Sequence, residues 1–143
     1  MNVLDIAISI FIVLETANVM ILYFAPDSRI GNGVAVFNPW FEAKKHTSSR
    51  LFVEYMKNWV AGTKLIFIVL LIAILFTGNE QIKTVAVVAM IFSIATYYFM
   101  LHPIIKKLDD INEITPVGYS KKLFIMITFF IVIFSAALIV NAF

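Results

Sequence analysis

The chain has 143 residues, of which 62% are hydrophobic and 14% are charged, whereas a soluble domain is about 45–50% apolar and about 25% charged. Its mean hydropathy of +0.95 excludes a disordered chain and a water-soluble enzyme, and a net charge of +2 is too small for a nucleic-acid-binding surface. The length allows four membrane-spanning helices of about 20 residues each, but not six, and the absence of cysteine excludes thiol chemistry.

The first apolar run, at about 3–24, predicts a membrane-spanning helix that contains Asp5 and Glu15. The run continues for almost three turns beyond Glu15, and its start is acidic. A secretory signal instead has a basic start, a short apolar core and a small-residue cleavage site. We therefore expect this helix to be retained.

The connection that follows, at about 25–50, opens with Pro26 and Asp27 and contains a strong turn signal at Gly31-Asn32-Gly33. Aromatic side chains then occur beside two lysines, a combination typical of a segment at the level of the lipid headgroups. These residues are Phe37, Trp40, Phe41, Lys44 and Lys45. The pattern favours an interfacial segment over a flexible loop.

Three further apolar helices are predicted, at about 49–77, 82–103 and 121–142. The second helix is roughly 42 Å long at 1.5 Å per residue, which exceeds the ~30 Å hydrocarbon layer. Its first turns, with Glu54 and Trp59, are therefore expected at the interface. Pro103 is expected to kink the third helix, and apolar residues at helical spacing predict that it continues to about residue 113. The predicted fold is all-α, a single four-helix transmembrane bundle over residues 1–143.

Basic residues in the connections predict the orientation of the bundle. The connection after the second helix holds one basic residue, Lys83, and the other two connections hold eight. The eight are Arg29, Lys44, Lys45, Arg50, Lys106, Lys107, Lys121 and Lys122. Because cytoplasmic loops carry an excess of Lys and Arg, we expect a multi-pass protein of the bacterial cytoplasmic membrane with both termini non-cytoplasmic.

Polar residues recur at a similar depth in all four helices. At 1.5 Å per residue, Glu15 lies about 13 Å and Lys64 about 10 Å from the cytoplasmic ends of their helices. The predicted polar cluster comprises Glu15, Asn18, Asn58, Lys64, Ser93, Thr96, Tyr97 and Thr128. The outer half of the bundle has almost no polar side chain, which argues against a simple pore or carrier because these need a polar lining along the whole route.

The most specific prediction for the cluster concerns its two charged residues, Glu15 and Lys64. We expect their side chains to face each other, with Asn18 and Tyr97 close by. One interpretation is a site for a substrate or a proton. The other is a structural ion pair that fixes helix register, because an unpaired charge at this depth would cost about 2.5–3.5 kcal/mol. The pattern leaves both interpretations open.

The sequence predicts a small membrane protein whose polar pocket, in its cytoplasmic half, binds a small ligand, an ion or a membrane partner in a transport-related or accessory role. One alternative is a membrane-embedded enzyme acting on a lipophilic substrate, with Glu15, Lys64 and Tyr97 as acid–base candidates. Another is a structural or assembly subunit of a membrane complex. An open cavity lined by these three residues would favour binding or catalysis, and a closed, satisfied cluster would favour the structural role.

No catalytic residue, metal or cofactor is assigned, and an enzyme is the less favoured possibility. His46 and His102 form no recognisable metal-binding motif. The expected partner is the lipid bilayer and not nucleic acid, and a homo-oligomer or a partner in a membrane complex is left open.

Overall fold

The computed structural model describes residues 2–142, and this part of the chain is all-helical, with one isolated β-bridge. Four of its helices are long and apolar enough to cross a membrane. The helices are α1 (Val3–Phe24), α2 (Pro39–Ala43), α3 (Thr47–Thr77), α4 (Glu80–Met100), α5 (His102–Asp110) and α6 (Tyr119–Ala142). A 3₁₀ turn, Val34–Val36, precedes α2. The predicted all-helical fold with four long apolar helices is confirmed.

Helix α1 has the predicted bounds, and the ends of the other long helices agree with the predicted ones to within three residues. Helix α4 begins at Glu80 because Asn79 is its N-cap, with a side-chain oxygen that accepts from the Ile82 N–H at 2.9 Å. The predicted third helix is divided at Leu101 into α4 and α5, since Pro103 lacks an N–H and its ring disfavours a continuous helix. Helix α5 ends at Asp110 and not near residue 113.

Helix α1 is the centre of the bundle, in contact with α3, α6 and, less extensively, α4. Helix α4 packs mainly against α6, and α3 and α4 barely touch. Phe11 packs edge-on against Phe130 and tilted against Phe134, with ring centroids 5.2 and 5.5 Å apart. Phe134 is fully buried. These aromatic contacts make one half of the bundle a continuous apolar core.

An ion pair joins the start of α1 to the start of α4 at one end of this core. Lys83 Nζ lies 2.6 Å from Asp5 Oδ1, and the two side chains are 13% and 14% exposed. Asp5 also belongs to a reciprocal capping box with Asn2 at the start of α1. The pair links α1 to α4, an arrangement that the sequence analysis did not predict because it placed Lys83 in a connection.

The long connection after α1 is a folded segment and not a flexible loop. Ala35, Val36 and Trp40 are buried, and the Trp40 indole N–H donates to Asp27 at 2.8 Å. Lys44 forms an ion pair with the same carboxylate. Hydrogen bonds from Lys44 and then from Trp40 lower the pKa of Asp27 below its usual value.

This connection pairs with the one between α5 and α6. The Thr115 N–H donates to the Val36 carbonyl oxygen at 2.9 Å, and the Asn38 N–H donates to the Glu113 carbonyl oxygen at 2.9 Å. The two segments, residues 25–46 and 111–118, are called the loop cap below. The loop cap covers the end of the bundle at which the sequence analysis placed the polar cluster.

Candidate functional site

The predicted pairing of Glu15 and Lys64 is confirmed. Lys64 Nζ, on α3, lies 2.6 Å from Glu15 Oε2, on α1. The Lys64 and Glu15 side chains are 29% and 17% exposed. The two helices are adjacent and antiparallel, so groups at equal depth meet. The ion pair neutralises both charges within the bundle.

The space beside this pair is an open cavity and not a collapsed cluster. It has a volume of about 590 Å³ and lies among the helices, in the half of the bundle nearest the loop cap. Its polar lining includes six of the eight predicted residues: Glu15, Asn18, Lys64, Ser93, Thr96 and Tyr97. The rest of the lining is largely apolar, from α4, α5 and α6. Its size lies within the range of about 300–1,000 Å³ typical of small-molecule pockets.

Asn58, one of the two remaining predicted residues, does not line this cavity and is exposed. At 100° per residue, Asn58 is rotated by about 120° from Lys64 around α3. It therefore lies at the edge of the polar stripe and points away from the bundle interior. The prediction that Asn58 belongs to the polar cluster is therefore wrong.

Thr128 is also outside the cavity. Its hydroxyl lies 2.7 Å from the Tyr98 hydroxyl and donates to the Phe124 carbonyl oxygen at 2.8 Å. This face of α6 meets α4, while Ile127 of the same helix lines the cavity. Thr128 thus joins two helices and contributes nothing to the polar lining.

Tyr97 lies on the cavity wall with its ring buried. Its hydroxyl is 3.2 Å from Nδ1 of His102, at the start of α5. The His102 ring in turn packs against Phe124, with centroids 5.1 Å apart. His102 is therefore the hydrogen-bond partner of the Tyr97 hydroxyl, and it holds this hydroxyl near the junction of α4 and α5.

Two polar residues of the cavity wall were not predicted as site residues. The Tyr119 hydroxyl, at the start of α6, is a donor 2.8 Å from Asn32 Oδ1 and 3.0 Å from the Gly31 carbonyl oxygen. Both Tyr119 and Asn32 line the cavity. The turn signal at Gly31-Asn32-Gly33 marked this position in the sequence, but not its contact with α6. These hydrogen bonds attach the loop cap to the bundle.

Asn18 is the one polar group of this wall that is buried without a partner. Its side chain is 8% exposed, and Oδ1 accepts no hydrogen bond from the residues that the structure describes. Buried polar atoms are nearly always hydrogen-bonded, because leaving one unpaired costs about 1–3 kcal/mol. The atom is thus a vacant acceptor at the cavity wall.

A second, smaller cavity of about 340 Å³ lies between α1 and α6. Its lining is almost entirely apolar and includes Leu14, Ile21, Met126 and Phe129. Three residues line both cavities: Glu15, Asn18 and Asn32. These three residues, called the polar wall below, have apolar space on both sides.

The larger cavity reaches the outer surface of the bundle beside α3 and α4. Val60 on α3 and Met100 on α4 line it, and both are exposed on the outer surface. Helices α3 and α4 barely touch. The cavity thus reaches the surface on two helices that pack poorly against each other.

Comparisons with known proteins gave no match to a family model, to a curated protein or to a solved structure. The features that bear on function are the two cavities, the polar wall and the exposed side of the larger cavity between α3 and α4.

Proposed function

We propose that the chain is an integral membrane protein that binds a small lipophilic molecule, which enters the larger cavity from the bilayer between α3 and α4. The observation that carries this proposal is the cavity of about 590 Å³ with polar side chains at its inner wall and a largely apolar remainder. A ligand that is mostly apolar matches such a lining. A sideways opening in a membrane would give it a path from the lipid without contact with water.

Binding is favoured over a purely structural role by the state of the polar cluster. A cluster that only holds helices together would be closed and fully hydrogen-bonded, because unpaired buried groups destabilise the fold. Here Asn18 Oδ1 is unpaired, and open space lies beside it. Binding is also favoured over acid–base catalysis, since Glu15 and Lys64 are bound to each other at 2.6 Å. Proton transfer by either would first require this pair to separate.

Filling the cavity should abolish ligand retention. Ile94 lines the cavity, and Ile94→Trp places a large ring in it. Ile82→Trp is the matched control, because Ile82 lies on the exposed surface of the same helix and outside both cavities. Native mass spectrometry of protein released from lipid nanodiscs, with extraction of the bound molecules, would measure occupancy.

We expect the unmodified chain and Ile82→Trp to retain a bound molecule, and Ile94→Trp to lose at least nine-tenths of it. Thermal unfolding of all three should confirm that each is folded. Equal retention by Ile94→Trp, or no bound molecule in any of the three, would contradict the proposal.

We also propose that the loop cap faces the cytoplasm of a bacterial cell and that both ends of the chain lie outside. The eight-to-one bias of basic residues supports this orientation. Because the chain has no cysteine, single cysteines can be introduced without background labelling. Gln81→Cys should react with a membrane-impermeant thiol reagent in intact cells, and Lys44→Cys and Lys121→Cys only after permeabilisation. Labelling of position 121 in intact cells would reverse the topology.

A further inference from the structure

We infer that the molecule held in the larger cavity is an uncharged lipid with a hydroxyl head, such as a long-chain alcohol, and that its hydroxyl donates a hydrogen bond to Asn18 Oδ1. This inference rests on the proposed function and specifies the ligand class. The observation that carries it is an unpaired acceptor, Asn18 Oδ1, on a residue more than nine-tenths buried, in a wall between two largely apolar cavities.

Two side-chain oxygens of the polar wall accept no hydrogen bond from the described residues. The buried Asn18 Oδ1 is one of them. Lys64 contacts Oε2 of Glu15, and Oε1 accepts no hydrogen bond from residues 2–142. Glu15 and Asn18 are three residues apart on α1, so both groups lie on the same face of the helix. A ligand that fits this face must bring a donor.

Three of the donors around the cavity are already engaged. Tyr119 donates to the loop cap, Lys64 donates to Glu15, and the Tyr97 hydroxyl is paired with His102. A ligand that could only accept hydrogen bonds would leave the buried Asn18 oxygen without a partner. A ligand hydroxyl would satisfy that oxygen without breaking any of the three contacts.

Charge excludes the other common lipid heads. A carboxylate or phosphate would meet the Glu15 carboxylate and the Asn18 oxygen, both of which repel an anion. Lys64, the one cation among the described residues that line the cavity, is already paired with Glu15 at 2.6 Å. An ammonium head would add a net charge to a neutral, largely buried site, and the desolvation of a charge is costly there. A neutral hydroxyl supplies the donor without either penalty.

The hydrocarbon part of such a lipid has a matching surface. Beyond the polar wall, the larger cavity is lined by Ile94, Ile105, Leu108 and Ile127. These side chains offer no hydrogen bonds, so they suit an alkyl chain and reject a polar one. The chain would extend from the wall toward the opening between α3 and α4.

The test uses the full-length chain in phospholipid vesicles and three photoreactive probes with the same alkyl chain. The probes are hexadecanol, its methyl ether, which can accept but not donate, and hexadecylamine, each with a diazirine near the end of the chain. Labelled peptides are mapped by mass spectrometry, and labelling of cavity residues is counted separately from labelling of the outer surface. The variant is Asn18→Leu, and the matched control is Asn58→Leu, the same substitution at an exposed asparagine outside both cavities.

We expect the alcohol to label cavity residues at least tenfold more than the ether or the amine does. Asn18→Leu should reduce alcohol labelling at least tenfold and raise the thermal unfolding temperature, since it removes an unpaired buried oxygen. Asn58→Leu should change neither. Equal labelling by alcohol and ether, a preference for the amine, or undiminished labelling of a folded Asn18→Leu variant would overturn the inference.

The comparison of probes on the unmodified chain keeps the inference falsifiable even if Asn18→Leu does not fold. The outcomes also separate this inference from the proposed function. Equal cavity labelling by all three probes would support the proposed binding cavity and contradict the specificity for a hydroxyl head. No cavity labelling by any probe would contradict both proposals.

Discussion

Glu15→Gln alone or Lys64→Met alone should each lower the free energy of unfolding by about 3 kcal/mol, the lower end of the about 3–5 kcal/mol typical of breaking a buried ion pair. Each change leaves one charge without its partner between α1 and α3. The lower end applies because the two side chains keep 17% and 29% of their surface exposed, which lets water or lipid headgroups reach part of the remaining charge. The loss arises mainly from the stranded charge and less from the attraction itself.

The double variant Glu15→Gln with Lys64→Met should recover most of this loss, since it leaves no charge behind. Unfolding in bicelles, followed by circular dichroism, would measure all three variants against the unmodified chain. The exposed pair of Arg50 and Glu54, 3.8 Å apart within α3, provides a control cycle, in which changes should stay below about 1 kcal/mol. Simple additivity of the Glu15 and Lys64 effects would mean that the two groups do not interact.

Asp109→Ala should lower the free energy of unfolding by about 2–4 kcal/mol, because it leaves two backbone N–H groups without an acceptor and removes a helix cap. The buried Asp109 carboxylate accepts from the N–H groups of Gly118 and Ser120, at 2.9 and 3.0 Å, and also from the Ser120 hydroxyl. It caps the start of α6 from another helix, where N–H groups lack partners and a negative charge is favourable.

The neighbouring Asp110→Ala is the matched control for this prediction. Asp110 is exposed on the same helix, so its loss should change the free energy of unfolding by no more than about 0.5 kcal/mol. Asp109→Asn should fall between the two, since the amide keeps one acceptor oxygen. Chemical unfolding of the three variants in detergent micelles would rank them. A similar effect of Asp109→Ala and Asp110→Ala would show that the cap does not hold α6 in place.

The Asp109 cap also bears on the cavity. Tyr119 is the first residue of α6 and lies between the two capped N–H groups. If the cap is lost, the Tyr119 hydroxyl should no longer be held against Asn32 and Gly31, which join the loop cap to the bundle. We therefore expect Asp109→Ala to weaken ligand retention as well as stability.

The amino-acid sequence by itself determined the number of long helices and their places to within a few residues. Hydrophobicity, helix caps and proline act over short stretches of chain, so they can be read without knowing the fold. Depth could be read in the same way, since each residue advances a helix by about 1.5 Å. For this reason Glu15 and Lys64, at similar depths on antiparallel neighbours, could be paired in advance.

Rotation about each helix axis was decided by packing. Thr128 and Ile127 are adjacent in sequence, yet one contacts Tyr98 and the other lines the cavity. Which face turns inward depends on the fit of side chains from neighbouring helices, such as the Phe11, Phe130 and Phe134 contacts. Depth for Thr128 and approximate helical phase for Asn58 therefore grouped them with residues that they do not meet.

The tertiary structure alone decided that the polar residues surround open space. Contacts between segments distant in sequence, Tyr119 with Asn32 and Thr115 with Val36, place the loop cap over one end of the bundle. The gap between α3 and α4 follows from how both helices pack on the others, with α3 on α1 and α4 on α6. A cavity is the volume that all these contacts leave unfilled, so no single segment of the chain encodes it.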